Sequence, residues 1–155
     1  MREQRWFRIT ALAVGLFVFN AVARLVVRFG FDGADKAQNR ASIVMFALIA
    51  LTLGVLTFLR SQRVKPSVWL PDIGFGALAG MLLTVLVGPF LSGITPFANG
   101  SGDFFAQVWI YAGCAILGTA LGYGVAVLLG RDYRSRSLKA FTQARVTRPR
   151  RVVGR

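Results

Sequence analysis

Asn20, Arg24 and Arg28 are the residues whose types and spacing could do chemistry, at i, i+4 and i+8 in the first apolar run of the chain. Helical geometry puts residues at that interval near one face. An Arg guanidinium presents a planar fork of N–H donors that suits carboxylate and phosphate, and an Asn amide both donates and accepts. An Arg at the bilayer centre costs about 2.5–3.5 kcal/mol, and less near an end of the span, where the side chain can snorkel. The pattern allows two readings. In one, Arg24 and Arg28 snorkel and Asn20 bonds a neighbouring helix. In the other, the three residues form a polar pocket in which Arg24 meets Asp32, Asp35, Asp103 or an anionic ligand. The candidate pocket is therefore Asn20, Arg24, Arg28 and Asp103.

Other chemistry is sparse. The acids are Glu3, Asp32, Asp35, Asp72, Asp103 and Asp132, and all read as lying at helix ends or in loops. General acid–base work asks for a His or converging carboxylates, and proton relays ask for an acid or His inside a span. The chain has no His and a single Cys, Cys114, so a Cys/His zinc site, His-ligated haem and a disulfide within the chain are excluded. No glycine-rich phosphate loop is present. The expectation is a protein without enzymatic chemistry, cofactor or metal.

These residues sit on an apolar frame. The chain of 155 residues is 55% hydrophobic and 16% charged. Four apolar stretches run over about 6–27, 42–59, 71–91 and 104–129. At about 1.5 Å per residue, each can cross a hydrocarbon core of about 30 Å. Arg2, Arg5 and Arg8 followed by an apolar run resemble a signal peptide, but the apolar pattern resumes after Ala21-Val22-Ala23, which favours an uncleaved span. The expected fold is an all-α integral membrane protein, an antiparallel bundle of four transmembrane helices over residues 1–130, followed by a basic, partly disordered tail over 131–155. Pro71 and Asp72 read as the start of the third helix, where a Pro fits the first turn and an acid suits the dipole. Asp103 or Ser101 reads as the cap of the fourth, and Gly88-Pro89 as a kink or break.

Net charge is +13, with 19 basic residues. With the N-terminus inside, fifteen of the nineteen fall on that side, in the first turns, around Arg60–Lys65 and in the tail. The positive-inside rule then puts both termini in the cytoplasm. A strong bias to Arg over Lys, with abundant Ala, Gly, Val and Leu, points to a GC-rich bacterial genome and hence to the inner membrane.

Two ladders of small residues recur every four positions: Gly76, Gly80, Thr84 and Gly88 in the third span, and Cys114, Gly118, Gly122 and Ala126 in the fourth. Lipid offers no hydrophobic force between helices, so close approach through small residues drives packing. The two ladders are expected to pack on each other, on another copy or on a partner. In the tail, Tyr133, Leu138 and Phe141 give a short helix an apolar side. Arg131, Arg134, Arg136, Lys139 and Arg145 are expected to face anionic lipid headgroups or an acidic partner.

Arg5–Phe7, Val14-Gly15 and Asn20 resemble the opening of the GtrA-like group of small four-span proteins, a likeness that implies movement of polyprenyl-linked sugars across bacterial membranes. It covers about twenty residues of common types, and the later spans do not continue it. Two functions follow. The first is an accessory or scaffold subunit, bound through its small-residue faces to other membrane subunits or to itself. The second is a small homo-oligomeric transporter, lipid-linked-sugar flippase or channel, with Asn20, Arg24, Arg28 and Asp103 as its polar face. Nucleic acid is not an expected partner.

Overall fold

The computed structural model describes residues 2–30, 35–91, 93–98 and 100–146. The described residues form helices α1 (Arg2–Gly30), α2 (Asp35–Ser61), α3 (Pro66–Leu82), a π-helical turn (Leu83–Val87), α4 (Gly88–Leu91), α5 (Ser101–Leu128) and α6 (Tyr133–Val146). Helix α3, the π turn and α4 follow one another without a gap, so the described residues carry four helices long and apolar enough to cross a membrane.

The helices outrun the apolar stretches. Helix α2 begins at Asp35, so the expected polar connection before the second span is partly helical. Lys, Ala, Gln and Arg favour helix and nothing over Asp35–Arg40 breaks it. Asp32 lies outside the described residues, as does the part of the tail expected to be disordered after Val146. The third helix does not begin at Pro71. It begins at Pro66, with Lys65 extended before it (φ −60°, ψ 144°), and Pro71 sits inside it. Either Pro fits the first turn of a helix, and the first of the two takes it. Asp72 is therefore nearly two turns inside the helix and buried, instead of facing water at its start.

The closest packings join helices that run the same way. Helix α1 lies on α3, with Leu12 at Gly76, Ala13 and Leu16 at Gly80, and Asn20 at Gly88. Helix α2 lies on α5, with Ala50 against Gly118 and Gly54 against Gly122. The ladders thus do not face each other. Each is taken up inside the chain by a different neighbour, and α3 touches α5 only slightly. At Gly118 and Gly122 a Cβ would run into the backbone of Ala50 and Gly54, so no side chain can turn away to make room. Thr84 and Ala126 are buried in line with these glycines, while Cys114 is only partly covered.

The two pairs meet over Leu16, Met45, Ile49, Leu53, Trp69, Ile73 and Tyr111. Most other large apolar side chains stay on the surface, among them Phe75, Trp109, Leu117 and Leu121, as expected of helices apolar enough to cross a membrane. Helix α5 ends at Gly130 (φ 59°), where Arg131 N–H returns to the Ala126 carbonyl at 2.9 Å, a closure that needs the left-handed conformation glycine adopts freely. Asp132 then starts α6, its carboxylate accepting from the N–H groups of Arg134 (3.1 Å) and Ser135 (3.3 Å).

Candidate functional site: a polar cavity at one end of the bundle

A backbone defect lies in the wall of the cavity. Pro89 has no N–H to give. The preceding turn widens to π form, and Gly88 N–H reaches back to the Leu83 carbonyl. In that register the Thr84 carbonyl would look to Pro89 for a donor and finds none. Asn20 supplies it: its Nδ2 donates to Thr84 O at 3.4 Å. Gly88 makes this possible, since a Cβ there would meet the Asn20 amide. Asn20 is 1% exposed, and its Oδ1 accepts from Arg24 Nε at 3.0 Å. One missing donor in α4 thereby fixes the Asn20 amide, which in turn orients the Arg24 guanidinium. The expected kink at Gly88-Pro89 takes the form of this π turn, with helix continuing to Leu91.

Arg28, one turn further on, donates from Nη1 to the Leu91 carbonyl at 2.8 Å and lies over the Phe29 ring. Among the described residues it makes no ion pair. Gly93 (φ 77°) lets the following loop pass beside its guanidinium. Across from these groups stand Ser42, Met45 and Phe46 of α2, and Asp103, Phe104, Gln107 and Ile110 of α5. The space between is a cavity of about 730 Å³. Asn20, Arg24, Arg28 and Asp103 all line it, so the four residues singled out from sequence lie on one wall-to-wall site. Gln38, Asn39 and Thr95 at its rim are exposed, which marks the mouth. Asp103 sits in the first turn of α5. The helix start is Gly100 (φ 96°), and neither Ser101 nor Asp103 supplies a side-chain cap. Phe104, which lines the cavity, meets Phe97 in a tilted contact at 4.7 Å between centroids and Phe105 edge-on at 5.5 Å.

The opposite end is held by charge. Asp72 Oδ1 accepts from Arg5 Nε at 2.6 Å, and Arg60 Nη1 stands 3.7 Å from Oδ2. The carboxylate side chain is only 11% exposed. Sequence reading missed this cluster because Pro71 drew the helix boundary five residues too late. The signal that could have found it is Arg5, Arg60 and Asp72 sharing one depth in three adjacent spans. Trp69 also packs on Tyr123 with centroids 5.8 Å apart, and Arg136 of α6 donates to the Gln62 carbonyl at 3.4 Å.

The tail residues stay at the surface. Arg131, Arg134, Arg136, Lys139 and Arg145 are all exposed, and Arg145 lies over the Phe141 ring at 5.6 Å. They do not join the cavity. No group of His, Cys, Asp or Glu among the described residues is arranged to hold a metal.

Comparison with family models, with characterised proteins and with solved structures gives no match. Fold and site together define a helical protein with four helices able to cross a membrane and a cationic, amide-lined cavity at one end.

Proposed function

We propose that the protein is a small, non-enzymatic membrane carrier that receives an anionic solute or an anionic lipid headgroup between its helices. The observation that carries this reading is the cavity: two guanidiniums, Asn20 and Gln107 line a space of about 730 Å³ opposite one carboxylate among the described residues, Asp103. Binding cavities of some 300–1,000 Å³, mostly apolar with a few placed polar groups, are typical of small-molecule sites. Arg suits the anion because its fork can hold two oxygens at once.

The basic end of the bundle, with Arg5, Arg8, Arg60, Arg63 and Lys65 near the exposed tail cations, belongs on the cytoplasmic side by the positive-inside rule. The cavity then opens to the outside, in an antiparallel bundle with both termini cytoplasmic in a bacterial inner membrane. The accessory-subunit reading has less support, since it leaned on free small-residue faces and both ladders are taken up within the chain. A role for α6 in holding anionic lipid or an acidic partner remains compatible with the carrier.

The test is flux. Vesicles containing the purified protein are loaded with radiolabelled phosphate or with a fluorescent short-chain phosphatidic acid. Protein-dependent movement of one probe is expected, falling about ten-fold in Arg28→Ala through loss of a charge-assisted hydrogen bond. Flux equal to empty vesicles, or equal in the variant, contradicts the reading.

A further inference from the structure

The geometry points to a latch: we infer that the Arg60–Asp72 bridge holds the cytoplasmic ends of two rigid helix pairs together while their other ends stand apart around the cavity. This rests on the carrier reading for its purpose, though not for its geometry.

The two pairs are distinguished by what lies between their members. Within α1–α3 and within α2–α5, contacts run through glycine, side chain on glycine in the first pair and backbone on backbone in the second. A Cβ at Gly76 would stand 2.6 Å from Leu12 Cδ2, and a Cβ at Gly54 would stand 3.1 Å from the Gly118 carbonyl oxygen. In α2–α5 backbone lies on backbone with no side chain to repack, and in α1–α3 Leu12, Leu16 and Asn20 are seated directly on glycines, so each pair moves as a unit. Between the pairs, contact is made by side chains, chiefly Leu16, Ile49, Leu53, Ile73 and Tyr111. Side chains of that kind can slide or change rotamer where interlocked backbones cannot.

The two ends of this softer interface differ. At one end the pairs part, and the cavity has Asn20, Arg24 and Arg28 on the α1 side against Ser42, Asp103 and Gln107 on the other. At the opposite end an ion bridge crosses. Asp72 and Arg5 belong to the same pair, 2.6 Å apart, so their contact braces that pair alone. Arg60 belongs to the other pair and reaches Asp72 at 3.7 Å. The longer contact is therefore the one that ties pair to pair. At 3.7 Å the Arg60 contact is the weaker of the two and can give way to water, while Arg5, at 2.6 Å, stays to keep the carboxylate paired. Release of this contact frees the cytoplasmic ends to part as the outer ends close, the rocking of one half on the other about a fixed site that gives alternating access.

Arg60→Gln removes the inter-pair contact and leaves Arg5–Asp72 intact. With Cys114→Ala as background, spin labels at Leu70 and Val127 report the cytoplasmic end, and labels at Val26 and Phe105 the cavity end. Labels at Val22 and Leu78 lie within one pair. Pulsed dipolar distances are read in nanodiscs. In Arg60→Gln the first distance is expected to shift longer and the second shorter, with the third unchanged, and Arg60→Lys is expected to keep all three at their original values. Unchanged distances in Arg60→Gln overturn the latch. So does lengthening at both ends together, or any change within the pair, since either means loosening of the whole bundle. These distances need no ligand. A rigid bundle that still moves phosphate would sink the latch alone, whereas rocking without flux would sink the carrier alone.

Discussion

At the residue scale, Asn20 does more than its neighbours suggest. It is buried in the bundle, meets an orphaned carbonyl with its Nδ2 and holds Arg24 with its Oδ1. Asn20→Ala is expected to lower stability by only about 1 kcal/mol, the usual scale of an interhelical hydrogen bond in a membrane protein. Binding of inorganic phosphate should weaken more than that stability loss explains, because the Arg24 guanidinium loses its orientation. Melting curves and phosphate titrations on the same sample separate the two effects. The glycines behave oppositely. Gly118→Leu places a side chain against the Ala50 backbone, and overpacking of this sort costs about 1–3 kcal/mol. The expected result is a lower melting temperature in detergent, while Gly113→Leu, where no atom lies within 4 Å, should melt like the parent protein. The spacing of Asn20, Arg24 and Arg28 was legible in the sequence. The orphaned Thr84 carbonyl was not, since it depends on the turn before Pro89 widening to π form.

At the scale of elements, the two prolines of the third helix explain what could and could not be read. Hydropathy marks where lipid begins, and helices do not stop there, so α2 and α3 both start before their apolar runs. Two prolines five residues apart, Pro66 and Pro71, each fit a helix start, and choosing the second hid the burial of Asp72. The small-residue ladders were visible as periods of four. Their partners were not, because a ladder names its own face and leaves open which neighbour it meets. Pro89 offers a test. Pro89→Ala returns an N–H to the helix, so the Thr84 carbonyl no longer needs Asn20. The π turn is expected to relax to α-helix, and Arg28-dependent phosphate binding should fall about ten-fold as the wall turns. Unaltered binding would show that the π turn does not shape the site.

At the scale of the whole molecule, four spans and a basic end were legible because the membrane imposes length and charge rules on the chain. The pairing of helices that run the same way was not legible, since short connections favour sequential neighbours and only side-chain fit decides otherwise. Orientation is tested in intact cells. With Cys114→Ala as background, a cysteine at Thr95 should react with a membrane-impermeant maleimide and one at Arg63 should not. The opposite pattern would turn the cavity toward the cytoplasm.

The central claim is that the cavity holds an oxyanion on Arg24 and Arg28, and direct binding tests it most plainly. Purified protein in neutral-lipid nanodiscs is titrated with inorganic phosphate, glycerol 3-phosphate and phosphatidic acid, alongside Arg28→Ala and a tail variant lacking the charges of Arg134, Arg136 and Lys139. Saturable binding of at least one probe is expected, about ten-fold weaker without Arg28 and unchanged without the tail charges. Binding that follows the tail and ignores Arg28 would contradict the account.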